Sequence, residues 1–254
     1  MSTKCIRGML VACVVTALAS PVGSEPQDAP AIVDKMFNYM RGKASISTVK
    51  MTIHRPDWER DMTIKAWTEG LSDSYFVITS PPKDEGNGTL KKGSEMWMYN
   101  PKINRIIKLP PSMMSQSWMG SDFSNNDIAK SDSIIVDYTH TLEGVETRDE
   151  KKVYLIKSMP KPGAPVVWGM QKLEIREDGI LLLQEFYDED FELVKALTTM
   201  EIRPIADRLY PVVWRMQETD AHDEYTELSY LELEFVPDLP DTIFTLSNLR
   251  NPRW

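Results

Sequence analysis

Thr48-Val49-Lys50-Met51-Thr52-Ile53-His54-Arg55-Pro56-Asp57-Trp58-Glu59-Arg60-Asp61-Met62-Thr63-Ile64-Lys65-Ala66 decides the fold class. Val49, Met51 and Ile53 are apolar at every second position, and so are Met62, Ile64 and Ala66. That is the period of a strand with one buried face. Pro56-Asp57 between the two runs is turn chemistry, and a turn this short joins only antiparallel neighbours.

The same period carries on downstream. Tyr75 to Thr79 follows a Gly70-Leu71-Ser72-Asp73 turn, and Val153 to Met159 is a further run. Leu173 and Ile175 end at Asp178-Gly179, and Ile180 to Tyr187 ends at Asp188-Glu189-Asp190. Ala196 to Ile202, Tyr210 to Met216 and Leu231 to Phe235 close the series. Counting Met96 to Tyr99, about ten or eleven strands follow one another through short turns. They predict one meandering, strongly curved antiparallel sheet in a single domain, with no repeat and no linker to divide it.

Two segments depart from the alternation. Ahead of the first strand, Ile32, Val33, Met36, Phe37 and Met40 share one helical face. Pro30 suits the first turn of that helix, Asp28 is placed to cap it and Gly42 to stop it. Midway, residues 110–134 run from Pro110-Pro111 through Met113, Met114, Trp118, Met119 and Phe123 to Ser124-Asn125-Asn126-Asp127-Ile128, a pattern for a short capped helix. An excursion of this length with its own apolar residues reads as a lid or plug.

The chain has 254 residues, 42% hydrophobic and 26% charged, ordinary for a folded protein. Lys4 and Arg7, then an apolar run from Met9 to Ala19 and small residues, read as an export signal over residues 1–24. Cys13 follows Leu10-Val11-Ala12, a lipoprotein-like processing box with a short apolar run ahead of it. Removing residues 1–24 takes away Lys4 and Arg7 and no acid, so a net charge of −9 becomes −11. Such a charge argues against nucleic acid and against anionic lipid surfaces as partners. The two cysteines, Cys5 and Cys13, lie within the leader, so the domain over 25–254 has no thiol chemistry.

A sheet of eleven strands curls too widely for its own side chains to fill. The helix over 31–41 and the insert are the available stoppers. Met36, Met40, Met96, Met98, Met113, Met114 and Met119 gather on those two and on the strand before the insert. Methionine adapts its shape to varied apolar partners, so an acyl-chain pocket and a gap-filled core both fit the pattern.

Gly93-Ser94-Glu95-Met96-Trp97-Met98-Tyr99-Asn100-Pro101 resembles the LolA/LolB family of periplasmic lipoprotein carriers, in its outer membrane lipoprotein-sorting protein branch. Gly120-Ser121-Asp122-Phe123-Ser124 with Asp127, Arg176-Glu177-Asp178-Gly179-Ile180, and Phe235-Val236-Pro237 with Asp241 and Phe244 are similar to further segments of that family. The resemblance covers about residues 31–250. It implies a mainly β protein with a few helices: a single half-open antiparallel barrel of about 11 strands under a helical lid. It also implies a monomeric periplasmic carrier of acylated lipoprotein or lipid, loaded by an inner-membrane transporter of ABC or RND type. No catalytic residue, metal or cofactor is implied. The family's latching arginine has no counterpart in Trp67-Thr68-Glu69-Gly70.

The expected lining of the cavity and lid is Met36, Met40, Met96, Trp97, Met98, Tyr99, Met113, Met114, Trp118, Met119 and Phe123. Two rivals stand beside the carrier. One is a lipid-sensing regulatory module of the same fold, although such regulators add a second domain and little chain follows residue 250. The other is a lipid hydrolase, for which no Gly-x-Ser-x-Gly elbow exists. His54, His140 and His222 are too scattered to ligate a metal.

Overall fold

The computed structural model describes residues 28–253; the expected leader, with Cys13, lies outside the described residues. Helix α1 (Ala29–Arg41) opens with Pro30 in its first turn and closes at Gly42, which takes a φ of 65°. A Cβ at Gly42 would meet the Phe235 ring at 2.5 Å, so glycine is required there for space as well as for backbone. Asp28 occupies the cap position through its backbone carbonyl, and its side chain makes no capping bond.

The strands are β1 (Ala44–Arg55), β2 (Trp58–Glu69), β3 (Asp73–Ser80), β4 (Gly88–Lys92), β5 (Glu95–Asn100), β6 (Arg105–Lys108), β7 (Tyr138–Arg148), β8 (Lys151–Pro160), β9 (Met170–Arg176), β10 (Leu181–Tyr187), β11 (Leu193–Ile205), β12 (Arg208–Glu218) and β13 (Tyr225–Val236). They form one antiparallel sheet in the order β6-β5-β4-β3-β2-β1-β13-β12-β11-β10-β9-β8-β7. Every neighbour is a hairpin partner except β1 and β13, and β6 and β7 remain as free edges. The barrel is therefore half-open.

Thirteen strands replace the expected eleven or so. β4, β6 and β7 escape an alternation rule for identifiable reasons. β4 buries Lys91 completely, β6 has four residues, and β7 (Tyr-Thr-His-Thr-Leu-Glu-Gly-Val-Glu-Thr-Arg) is polar along most of its length.

Curvature follows from the core. Met96 of β5 and Phe186 of β10 share one apolar cluster although seven strands separate them in the sheet. Only a sheet curled on itself brings such inner faces together. The chain between the two free edges, residues 109–137, crosses this concave side. It carries a 3-10 turn (Pro111–Met113) and two short helices, α2 (Asn125–Ala129) and α3 (Ser133–Val136). Opposite it, α1 covers the rest of the concave face by packing on β7, β9 and α3. On the convex side of β1–β5, the C-terminal segment with α4 (Leu246–Arg250) seats Leu239, Ile243, Phe244 and Leu249 against Trp67, Tyr75, Val77 and Leu90.

Candidate functional site

Two clusters fill the concave side, and a hollow lies between them. The first is built on the insert: Trp118, Phe123 and Ala129 pack with Met51, Met62, Ile78, Met96 and Met216. The second is built on α1: Val33 and Met36 pack with Ile156, Leu173, Ile175 and Trp214. Leu197 and Leu228 touch both. The hollow is about 340 Å³, with Met36, Phe37 and Met40 on one side and Trp118, Phe123 and Ile128 on the other. A side lobe of about 260 Å³ continues past Phe123, Ile128, Ser131 and Leu197 toward Trp168, Phe186, Gln171 and Gln184.

Strand register gives the hollow a polar and an apolar end. Along β1 and β2 the inward pairs are Ser45–Thr68, Ser47–Ala66, Val49–Ile64 and Met51–Met62. Hydroxyls therefore come first, then a small residue, then aliphatic bulk, because side chains on one face recur every second residue. The hydroxyls of Ser45 and Thr68 bond each other at 2.8 Å. Arg41, at the end of α1, lines the same end. Its guanidinium donates to the Gly70 carbonyl, to the Asp73 carbonyl at 2.7 Å and to Ser74 Oγ at 3.2 Å. Burial pushes this guanidinium down from its ordinary range, opposed by Asp132 and Asp73. Tyr210 and Tyr230 stand beside it, both pushed up by burial, and the Tyr210 hydroxyl donates to the Met40 carbonyl at 3.0 Å. The turn that lacks an arginine of its own, at Glu69-Gly70, is thus gripped by one from α1.

The insert is tied down by buried charge. Asp127 closes a capping box with Ser124, accepting from the Ser124 amide at 2.7 Å, and the same carboxylate oxygen pairs with Lys195 of β11. The side chains of that pair are 5% and 7% exposed. Lys195 Nζ also lies 5.3 Å from the centre of the Trp168 ring. Asp122 receives the Arg55 fork at 2.8 and 3.2 Å and the Thr226 hydroxyl at 2.6 Å. Trp118 is 3% exposed and its indole N–H donates to Thr89 at 3.0 Å. Lys91, 0% exposed, bonds Asp132 at 2.9 Å. Strands β1, β4, β11 and β13 therefore each hold the segment, which makes it a plug.

Of the residues expected to line the cavity, Met36, Met40, Trp118 and Phe123 border the hollow. Met96, Met98, Met114 and Met119 lie in or against the plug cluster. Met113 is half-buried and belongs to neither cluster. Trp97 and Tyr99 depart from the expectation: they point to the convex face, against the C-terminal segment, because β5 sends Met96 and Met98 inward and alternate residues outward. The alternation of β1, β2, β12 and β13 also hid lining residues in plain view: Ser45, Ser47, Thr68, Tyr210, Trp214, Leu228 and Tyr230. Inward register in the first hairpin would have found three of them. Among the described residues no group of three His, Cys, Asp or Glu side chains is placed to hold a metal ion, and no helix is long and apolar enough to cross a membrane.

A family model described as "Uncharacterized protein" matches residues 70–251. No curated protein matches the sequence. Among solved structures, a DUF1329 family protein from Desulfovibrio piger is 24% identical, covering 87% of this chain and 97% of its own at a TM-score of 0.77. A LolA superfamily protein from Nitrosomonas europaea is 24% identical, with 86% and 98% covered and a TM-score of 0.71. An outer membrane lipoprotein-sorting protein domain from Vibrio parahaemolyticus is 19% identical, with 87% and 98% covered and a TM-score of 0.73.

Proposed function

Since the chain belongs to that family of uncharacterized proteins and its fold is the one seen in the LolA superfamily, we propose that it is a periplasmic carrier of acyl chains. It takes lipid or acylated lipoprotein from an inner-membrane transporter and delivers it toward the outer membrane. The observation that carries this reading is the apolar hollow between plug and helix. The names of the Nitrosomonas and Vibrio relatives support the same assignment.

The size of the hollow limits the cargo. A methylene takes up close to the share of liquid volume that a water molecule claims, ~30 Å³, so the main hollow holds roughly a dozen and the side lobe takes the rest of a longer chain. At about 0.8 kcal/mol for each buried methylene, one chain gains on the order of 10 kcal/mol before the costs of binding. Release then requires the protein to close on its own apolar lining, and α1 is the element placed to do so. Methionines Met36 and Met40 give that helix a face that adapts to a filled or an emptied hollow.

Mass spectrometry of lipids extracted from the purified protein tests the assignment, with Ala66→Phe as its control. Ala66 lines the hollow, so a phenyl group there occupies the space a chain would use. Acyl lipid recovered with the parent protein and lost from Ala66→Phe, both folded, is the expected result. Equal recovery from both proteins, or none from either, overturns it.

A further inference from the structure

The polar end of the hollow contains a cation with no ion-pair partner among the described residues. Arg41 spends its Nε and Nη2 on the Glu69, Gly70 and Asp73 carbonyls and the Ser74 hydroxyl, all neutral, and its Nη1 makes none of these bonds. The neighbouring carboxylates are committed elsewhere. Asp132 pairs with Lys91 at 2.9 Å, and Asp73 accepts from the Ser72 hydroxyl at 3.1 Å and the Gly93 amide at 3.3 Å. Lys91 also lies close by, its charge offset by Asp132. Ser45, Ser47 and Thr68 place hydroxyls on the same end of the lining, while the opposite end is, Ser131 apart, aliphatic and aromatic. A cavity that served only hydrocarbon gains nothing from hydroxyls and a guanidinium edge along one end of its lining.

We propose that the hollow selects a single-chain amphiphile with an anionic head, carboxylate or phosphate, which seats against Arg41 while its tail lies toward Trp118 and Phe123. This rests on the carrier reading above and narrows its cargo. A guanidinium with an unspent N–H edge is the side chain best shaped for such a head, and the hydroxyls supply the remaining donors. Within the main hollow the tail end is bordered by Trp118, Phe123 and Ile128, and the polar side chains of the side lobe, Gln171 and Gln184 among them, lie beyond, so chemistry as well as shape orients the ligand there.

The test needs no variant to begin with. Binding of palmitate, hexadecanol and hexadecyltrimethylammonium to the mature protein is measured by displacement of a fluorescent apolar probe. A charge-assisted hydrogen bond makes palmitate bind about tenfold or more tighter than hexadecanol, with the ammonium weakest. 1-Palmitoyl lysophosphatidate, run alongside, tells a phosphate head from a carboxylate by which of the two binds tighter. Arg41→Gln then removes about tenfold of the palmitate affinity and leaves hexadecanol within about twofold, which also shows the hollow intact. If Arg41→Gln fails to fold, the head-group series on the parent protein decides. Palmitate and hexadecanol binding within about twofold of each other overturns this inference and leaves the carrier standing. No displacement by any of the four removes both.

Discussion

Two covers lie on the concave side of one sheet, and they are fastened in different ways. The insert over 109–137 joins the free edges β6 and β7, and buried ion pairs to β11 and β4 and a half-buried one to β1 hold it. Helix α1 is fastened at its rim, by donors such as Lys35, Tyr39 and Arg41 bonded to backbone carbonyls. The difference teaches where the hollow's freedom lies. Withdrawing the insert would part Lys195 and Lys91 from the carboxylates that pair with them, whereas moving α1 breaks no ion pair among the described residues and costs the burial of Val33 and Met36 and bonds to neutral acceptors. The insert seals one end, and α1 borders the open space.

The largest expected effect attacks the plug. Lys195→Met leaves Asp127 buried with its charge unpaired, and unfolding in urea is expected to show a loss of about 3–5 kcal/mol. A loss below about 1 kcal/mol would break the contrast, because the pair would then be doing no more than an exposed one.

Next comes a matched pair of truncations. Met62, 1% exposed within the plug cluster, should lose about 2–5 kcal/mol on Met62→Ala. Met40 already borders empty space, so Met40→Ala removes fewer contacts and should cost under about 1 kcal/mol in the same urea unfolding assay. Equal losses would mean the hollow is closed in solution.

The smallest effect concerns acid. His140 of β7 is pushed below its ordinary value by burial, against a nearby Asp34 of α1, and its Nδ1 lies 2.8 Å from the Ser158 hydroxyl. As pH falls through about 6.5 the unfolded chain takes up a proton that the folded one still refuses. Stability present above that pH is therefore lost on going down toward the folded pKa. Tm measured between pH 7 and pH 5 should fall less steeply in His140→Gln than in the parent. An unchanged slope would place the acid sensitivity elsewhere.

Much of this architecture is legible in local pattern. The hairpin around Pro56-Asp57 has the register that its alternation requires, with Arg55 opposite Trp58. The α1 boundaries follow from Pro30 and Gly42, and the capping box at Ser124 from its own spacing. The site is less legible. Trp97 and Tyr99 carry the family resemblance yet face away from the hollow, since an apolar strand covered on both sides does not say which side is the cavity. Nor does a methionine-rich segment say whether it swings or is anchored. Lys195 and Arg55, which decide that, lie 68 and 67 residues from Asp127 and Asp122.

By itself the sequence determined the period-two strands, their antiparallel order and the two segments left over to cover them, because these depend on neighbours a few residues apart. Only the tertiary structure decided which cover is bolted, which inward faces meet, and that a cation and three hydroxyls share one end of an oily space. Those depend on how far the sheet curls, and curl is the sum of thirteen small twists that no single segment contains.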